Sequence, residues 1–163
     1  MRILVVIVTF NSNLVIRQTL EAAFRQLRPQ DSVVLVNNGQ TDVPDFAPEE
    51  IPCPFLIHNS TNNLGFCGGN NLGLKLGKWQ SFDAVLLLNP DLVLPANWIE
   101  KATAYLARHN RDKIGILSGP LISYDFKKQS PLPRIDSLGI GRNRIPGLWK
   151  DIGQGDAFSG DLN

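Results

Sequence analysis

Residues 3–8 form an unbroken apolar run, ILVVIV, near the start of the chain. Five of its six side chains are β-branched, as in a strand of a parallel sheet that is covered on both faces. The run is too short to span a membrane, and no small-residue cleavage site follows it, so we interpret it as a buried strand and not as a signal peptide. The chain is therefore expected to build a sheet around this strand.

Strand-like and helix-like segments alternate after this run. Apolar runs predict further strands, and apolar side chains at helical spacing predict the helices between them. The predicted strands are Ser32–Val36, Phe55–His58, Ala84–Leu88, Ile114–Leu117 and Leu121–Tyr124, and the predicted helices run through Ile16–Leu27, start after Asn71 and start again at Pro95. This order predicts an α/β fold, a Rossmann-like three-layer sandwich with a mostly parallel sheet.

The length of 163 residues fits about one domain. Proline and glycine become frequent from Phe126 onward, and periodicity fades. We therefore predict an α/β domain over residues 1–125 and an irregular Gly/Pro-rich segment over 126–163. The net charge of +1 gives no field that would attract nucleic acid or an anionic membrane.

The cysteines and histidines have no metal-ligand spacing. Cys53 and Cys67 match no zinc or redox motif and make no disulfide framework, so reduced thiols in a cytoplasmic protein are expected. His58 and His109 lie far apart in the sequence. These residues therefore suggest no metal centre.

Four polar clusters follow four successive predicted strands. They are residues 9–12 (TFNS), 37–42 (NNGQTD), 59–71 (NSTNNLGFCGGNN) and 89–91 (NPD). Parallel strands end along one edge, and ligands of open α/β sheets bind in the crevice beyond those ends. Each cluster alone also fits a simpler role, as a turn, a helix cap or a flexible connection. Together they predict a ligand site.

Common nucleotide and hydrolase motifs are missing. The segment after the first strand, TFNSN, is not the glycine fingerprint of dinucleotide-binding proteins. Gly77 and Lys78 are followed by Trp79, where a phosphate-binding loop needs Ser or Thr. A nucleotidyltransferase would be expected to carry a glycine-rich basic loop after the first strand, and no glycine stands there. These classes are disfavoured.

The ordered motifs VIVTFNS, VLVNNGQTD, NNLGFCGGNNLG and LLLNPD resemble those of family 2 glycosyltransferases, and most of all the rhamnosyltransferase-like branch. The resemblance covers about residues 3–124, with a weaker match at DSLGIG, residues 136–141. It implies a glycosyltransferase A-type fold that binds a nucleotide-diphosphate sugar. It also implies an inverting enzyme of polysaccharide biosynthesis, working on a glycan or lipid-linked acceptor. Such an enzyme is expected in the cytoplasm or peripherally at the inner face of the membrane, with a homo-oligomer as one expected assembly.

The resemblance also implies site residues. Asn37 stands where many relatives have Asp, and its amide oxygen can still accept a hydrogen bond from uracil or thymine. Glycines of the third motif would let backbone approach the nucleotide. The implied nucleotide-binding residues are Thr9, Asn11, Asn37, Asn38, Asp42, Gly65, Gly68, Gly69 and Asn70.

The same resemblance implies a metal site for Mg²⁺ or Mn²⁺. Asp91 is the last residue of a motif that is more often Asp-x-Asp, and Asn89 takes the first position with an oxygen but no charge. Hard cations need oxygen ligands, often only one or two carboxylates with phosphate and water.

In this family the catalytic base and the acceptor-binding half come after the region at which this chain ends. No matching acidic motif precedes Asn163. The chain is therefore expected to be the donor-binding portion of a longer enzyme, or a remnant that binds nucleotide sugar without catalysis. The sequence leaves the sugar and the base open, with dTDP-rhamnose and a UDP-sugar as the options considered.

Overall fold

Strand β1, Ile3–Thr9, lies inside a four-stranded parallel sheet, and all seven of its residues are buried. It pairs with β2, Ser32–Asn37, on one side and with β4, Ala84–Leu88, on the other. The outer neighbour of β2 is β3, Phe55–Asn59, which gives the order β3-β2-β1-β4. The computed structural model describes residues 1–12, 15–39, 43–109, 114–142 and 149–158.

Helices cover both faces of this sheet. Helix α1, Ile16–Phe24, packs with Leu20 and Phe24 against one set of alternating strand residues, which includes Val5 and Ile7. Helix α2, Gly65–Leu76, covers the other set, which includes Val6. Because successive side chains of a strand point to opposite faces, an unbroken apolar strand requires a helix on each side. The predicted α/β fold with a mostly parallel sheet is confirmed.

Helix α2 begins at Gly65, not after Asn71 as the sequence predicted. The glycines that suggested a loop lie in the helix and let it approach the sheet closely. A Cβ atom built on Gly69 would lie 2.6 Å from Cγ1 of Val8, and one on Gly77, just past the helix, would lie 2.7 Å from Cδ1 of Leu4. Gly73, between them, faces Val6 in the same way. Close packing therefore outweighs the low helix propensity of glycine.

Two further predictions about secondary structure are wrong. Helix α3, Trp98–Arg108, begins three residues later than the predicted start at Pro95. Residues 114–120 have no regular secondary structure, so the predicted strand at Ile114–Leu117 is absent from this described segment. A short apolar run becomes a strand only when a partner strand is available to pair with it.

The chain divides into two compact units, Met1–Ala104 and Tyr105–Asn163. In the second unit β5, Leu121–Asp125, pairs with β6, Ser130–Ser137, and β7, Ile140–Arg142, pairs with β8, Trp149–Asp151, both in antiparallel fashion. The segment after residue 125, expected to be irregular, thus contains strands, because antiparallel hairpins tolerate proline where an edge strand needs no donor.

Both cysteines are free thiols, Cys53 buried and Cys67 exposed. Within the described ranges, no helix has both the length and the apolar character that a membrane crossing demands.

Candidate functional site

An open cleft of about 460 Å³ lies at the carboxyl ends of β1, β2 and β4. All four polar clusters meet there, the third of them through Asn63 and the start of α2, as the topology of a parallel sheet requires. The cleft is lined by Val8, Thr9, Phe10, Ser12, Asn38, Asn63, Gly65, Phe66, Asn89, Pro90 and Asp91. Of the eleven implied site residues, this lining contains Thr9, Asn38, Gly65, Asn89 and Asp91.

Thr9 and Asn38 join β1 to β2 at the floor of the cleft. The backbone N–H of Asn38 donates to the carbonyl of Thr9 at 2.8 Å. Both residues are buried. The side-chain amide of Asn38 donates to the carbonyl of Gly65 at 3.2 Å. Asn38 therefore links the end of β2 to the first residue of α2, and holds that turn against the cleft.

Asn37 is buried beside the cleft and does not line it. Its Nδ2 donates to Oδ1 of Asn59 at 3.0 Å, and its Oδ1 accepts from the N–H of Gly39 at 3.0 Å. The carbonyl of Asn37 also accepts from the N–H of Ser60 at 2.9 Å. In the structure, Asn37 thus ties together the loops that follow β2 and β3.

The remaining implied nucleotide residues lie around the cleft. Gly69 faces Val8 of β1, and Asn70 donates to the carbonyl of Phe66 within α2 at 2.9 Å. Gly68 has the Cβ of Leu64 as its neighbour. None of these three lines the cleft, because helix α2 turns them toward the sheet or along its own axis.

Asn11 has a left-handed backbone, with φ at 54°. It packs over Gly39, where an added Cβ would lie 2.5 Å from Oδ1 of Asn11. Only glycine fits at position 39 beneath this asparagine. Asp42 lies outside the described residues.

Asn89 and Asp91 follow β4 and are exposed at the cleft. The carbonyl of Pro90, between them, accepts a hydrogen bond from Oγ1 of Thr19 at 2.7 Å. Asp91 and Asn89 together offer one carboxylate and one amide oxygen. This donor set fits a hard divalent cation that takes its other ligands from phosphate and water. The described residues hold no group of three or more His, Cys, Asp or Glu side chains that would bind a metal alone.

Two aromatic residues of the cleft were missed in the sequence. Phe10 is 55% exposed and Phe66 is 59% exposed, and both line the cleft. Large apolar rings held open to solvent beside polar groups are typical of ligand sites. The available signal was their position inside the polar motifs TFNS and LGFCG, where no core strand or helix face would use them.

The charge of the cleft is the property that most restricts its ligand. Among the described residues that line it, none is Lys, Arg or His, and Asp91 is the one ionisable side chain. An anionic ligand in this cleft would therefore need a cation that its lining side chains do not provide.

A second cleft of about 360 Å³ lies over α1 and residues 46–52, away from the carboxyl ends of the strands.

Solved structures share this fold. Residues 1–349 of S. aureus TarS in complex with UDP are 17% identical to this chain, with a TM-score of 0.50 over 76% of it and 42% of TarS. The complex of the same protein with UDP-GlcNAc also has 17% identity and a TM-score of 0.50, over 76% of this chain and 40% of TarS. The chain thus spans less than half of either structure. At this identity the similarity concerns the fold alone.

No curated protein matches the chain. The model of glycosyl transferase family 2 matches residues 4–147, a range that holds the whole cleft and all of the parallel sheet except Ile3. The chain therefore belongs to glycosyl transferase family 2.

Proposed function

We propose that the chain is the donor-binding part of an inverting glycosyltransferase that takes a sugar from a nucleotide-diphosphate sugar. The cleft supports this, since it lies at the strand ends where α/β sheets bind nucleotides and combines aromatic rings with backbone and amide hydrogen-bonding groups. Residues 1–125 would hold the donor, and residues 126–163 would lead toward the acceptor-binding region.

One observation carries the proposal: the described lining of the cleft has a carboxylate and no cationic side chain. A diphosphate bound there would face uncompensated charge unless a divalent cation were bound as well. Asp91, with Asn89 beside it, would hold Mg²⁺ or Mn²⁺, and the bound cation would act as a Lewis acid toward the leaving diphosphate. The cleft thus favours a metal-dependent donor over a bare anion.

The protein groups divide the work. The base and ribose would be supported by the polar residues Thr9, Asn11, Asn37, Asn38 and Asp42. Phe10 and Phe66 would offer apolar faces to the ligand. Gly65, at a φ of +66° in the cleft wall, would admit backbone near the diphosphate, and Gly68, Gly69 and Asn70 would act by shaping α2. The proposed donor is dTDP-rhamnose or a UDP-sugar. We also propose that the chain belongs to the rhamnosyltransferase-like branch of the family.

The reaction itself is a single displacement. An acceptor hydroxyl, losing its proton to a carboxylate base, forms a bond to the anomeric carbon while the bond from that carbon to the diphosphate oxygen breaks. The nucleoside diphosphate leaves with the bonding electrons, and the configuration inverts. The acceptor would be a glycan or a lipid-linked sugar.

A second function is supported by a specific observation. In the described lining of the cleft no second carboxylate accompanies Asp91, so a general base is missing from those residues. A nucleotide-sugar-binding protein without transfer activity would have this arrangement.

Calorimetric titration and a transfer assay separate the two. UDP, dTDP and their sugars are titrated with Mn²⁺ and with EDTA, and the protein is then incubated with a donor and lipid-linked acceptors. Binding that requires Mn²⁺ supports the site, and transfer supports the enzyme over the binding protein. Failure of every nucleotide to bind in Mn²⁺ would contradict both.

A further inference from the structure

Thr19 is a fully buried polar residue on the face of α1 that packs on the sheet. Its exposure is 0%, and it lies among apolar neighbours along the helix such as Leu20 and Ala23. Its hydroxyl donates to the carbonyl of Pro90, 71 positions away in the chain, at 2.7 Å. The carbonyl of Val15, one helical turn earlier, is 3.5 Å away, a weaker contact. The main hydrogen bond of this hydroxyl is therefore to the loop after β4 and not to its own helix.

A second polar side chain forms hydrogen bonds with the other end of the same loop. Gln26, just past α1, donates from Nε2 to the carbonyl of Pro95 at 3.1 Å. Its Oε1 accepts from the N–H of Ile99, in the first turn of α3, at 3.1 Å. The loop between β4 and α3 is thus anchored twice to the α1 segment, once beside Asp91 and once at the start of α3.

We infer that Thr19 is a positioning residue for Asp91, which it serves through the carbonyl of Pro90. This rests on the proposed function, in which Asp91 binds the metal of the donor complex. Residues 89–97 contain no helix or strand, so no ladder of backbone bonds fixes the direction of the Asp91 carboxylate. The bond from Thr19 is made one residue before it, at the point where the chain leaves β4.

The physical reason is that metal ligands need support from outside the coordination sphere. If the carboxylate is mobile before the cation binds, ordering it costs conformational entropy and lowers the affinity for the cation. Protein groups that hold the carboxylate or its backbone in place reduce this cost. Removing such a group typically costs about 10–100-fold in metal affinity. Thr19 is buried and does not line the cleft, so any effect it has on metal affinity must pass through the loop that carries Asp91.

The test replaces the hydroxyl without changing the shape of the side chain. Thr19→Val removes the donor, and Thr19→Ser keeps it. Thr103→Val is the matched control, because among the residues that the structure describes the Thr103 hydroxyl bonds to carbonyls of its own helix, those of Ile99 and Glu100, at 2.9 and 3.0 Å. Each variant is titrated with UDP or dTDP in EDTA and in graded Mn²⁺, and bound Mn²⁺ is followed by electron paramagnetic resonance.

We expect Thr19→Val to weaken the Mn²⁺ affinity of the nucleotide complex about tenfold or more. Affinity for the nucleotide in EDTA should stay within about twofold, and Thr19→Ser and Thr103→Val should resemble the wild type. Equal losses with and without metal would assign Thr19 a merely structural role and overturn the inference. An unchanged Mn²⁺ affinity in Thr19→Val would also overturn it.

Hydrogen exchange gives a readout that needs no metal. The amides of Asn89, Asp91 and Leu92 should exchange faster in Thr19→Val than in Thr103→Val, and equal exchange would overturn the tether. If the wild type itself shows no Mn²⁺-dependent binding, the proposed function fails, and the role of Thr19 toward a metal ligand fails with it. That result is distinct from a variant that loses nothing.

Discussion

The side chains of Asn37 and Asn59 form a hydrogen bond of 3.0 Å that joins the end of β2 to the end of β3. Because Asn37 donates in this bond, its oxygen turns to the N–H of Gly39, again at 3.0 Å. An amide can do both at once, whereas an aspartate in this place would have no proton to donate. The structure thus gives Asn37 a role in the loops in addition to any contact with a base.

Replacement of Asn37 by Leu should therefore destabilise the protein. The change leaves the partly buried N–H of Gly39 without the oxygen of Asn37, and a buried group left unsatisfied costs about 1–3 kcal/mol. Urea unfolding measures the difference. Asn62→Leu is the control: Asn62 is exposed and takes no part in these two bonds, so its replacement should cost less. Equal stability of Asn37→Leu and the wild type would contradict the role.

A second prediction concerns Asp31, whose carboxylate is buried and accepts from the N–H groups of Ile3 and Arg28 at 2.9 Å each. Burial alone raises the pKa of Asp31, but the hydrogen bond from the Arg28 side chain, the two backbone N–H groups and the charge of Arg28 outweigh burial and hold the pKa below its ordinary value. A lowered pKa in the folded state contributes stability above the unfolded pKa of about 3.9, which is lost as pH falls through the folded pKa.

Urea unfolding of the wild type should therefore show a steep loss of stability below about pH 4. Asp31→Asn removes the titrating group, so its stability should be lower at pH 7 and fall less toward pH 2. Asp45→Asn, at an exposed position, should follow the wild type. A parallel pH profile for Asp31→Asn and the wild type would contradict the assignment.

The glycines of α2 give a third prediction. Gly69→Ala places a Cβ against Val8, and overpacking of this kind costs about 1–3 kcal/mol. That cost exceeds the gain of about 1 kcal/mol from replacing glycine by alanine in a helix. Gly68→Ala, in the same helix, meets only the Cβ of Leu64 at 3.1 Å, so the two effects should nearly cancel. A higher melting temperature for Gly69→Ala than for Gly68→Ala would contradict the packing argument.

These glycines also mark the limit of what the sequence could predict. The strands β1 to β4 follow from apolar runs, which are longest in β1 because that strand is covered on both faces. The start of α2 does not, because helix propensity describes an isolated helix. Gly69 and Gly73 lie in the helix because the sheet is too close to leave room for a Cβ atom. The strands after residue 125 and the missing strand at 114–117 depend on pairing between distant segments, which local pattern does not contain.

The site divides along the same line. Residues placed directly after strands, such as Thr9, Asn38 and Asp91, fall in the cleft as the topology of a parallel sheet requires. Gly68, Gly69 and Asn70 of α2 do not, because their direction depends on where the helix begins, and the sequence placed that point seven residues too late. Thr19 carried no signal at all, since a threonine in an amphipathic helix has no sequence feature that names a carbonyl 71 positions away.

A fourth prediction concerns the first position of the NPD motif. Asn89→Asp would add a second carboxylate beside Asp91, and the charge of the ligand set governs affinity for hard cations. We expect about a tenfold higher Mn²⁺ affinity in the nucleotide complex, with weaker nucleotide binding in EDTA because like charges repel. Titration with and without Mn²⁺ measures both. If Asn89→Asp binds Mn²⁺ no more tightly than the wild type, position 89 is not a ligand.

The most direct measurement compares the wild type, Asp91→Ala and Asp45→Ala in a calorimetric titration of UDP and dTDP at saturating Mn²⁺. Asp91 is exposed, so its removal should leave the melting temperature unchanged and still abolish the Mn²⁺-dependent part of nucleotide affinity. Asp45→Ala should bind as the wild type does. Equal Mn²⁺-dependent binding by Asp91→Ala and the wild type would contradict a donor site built on Asp91.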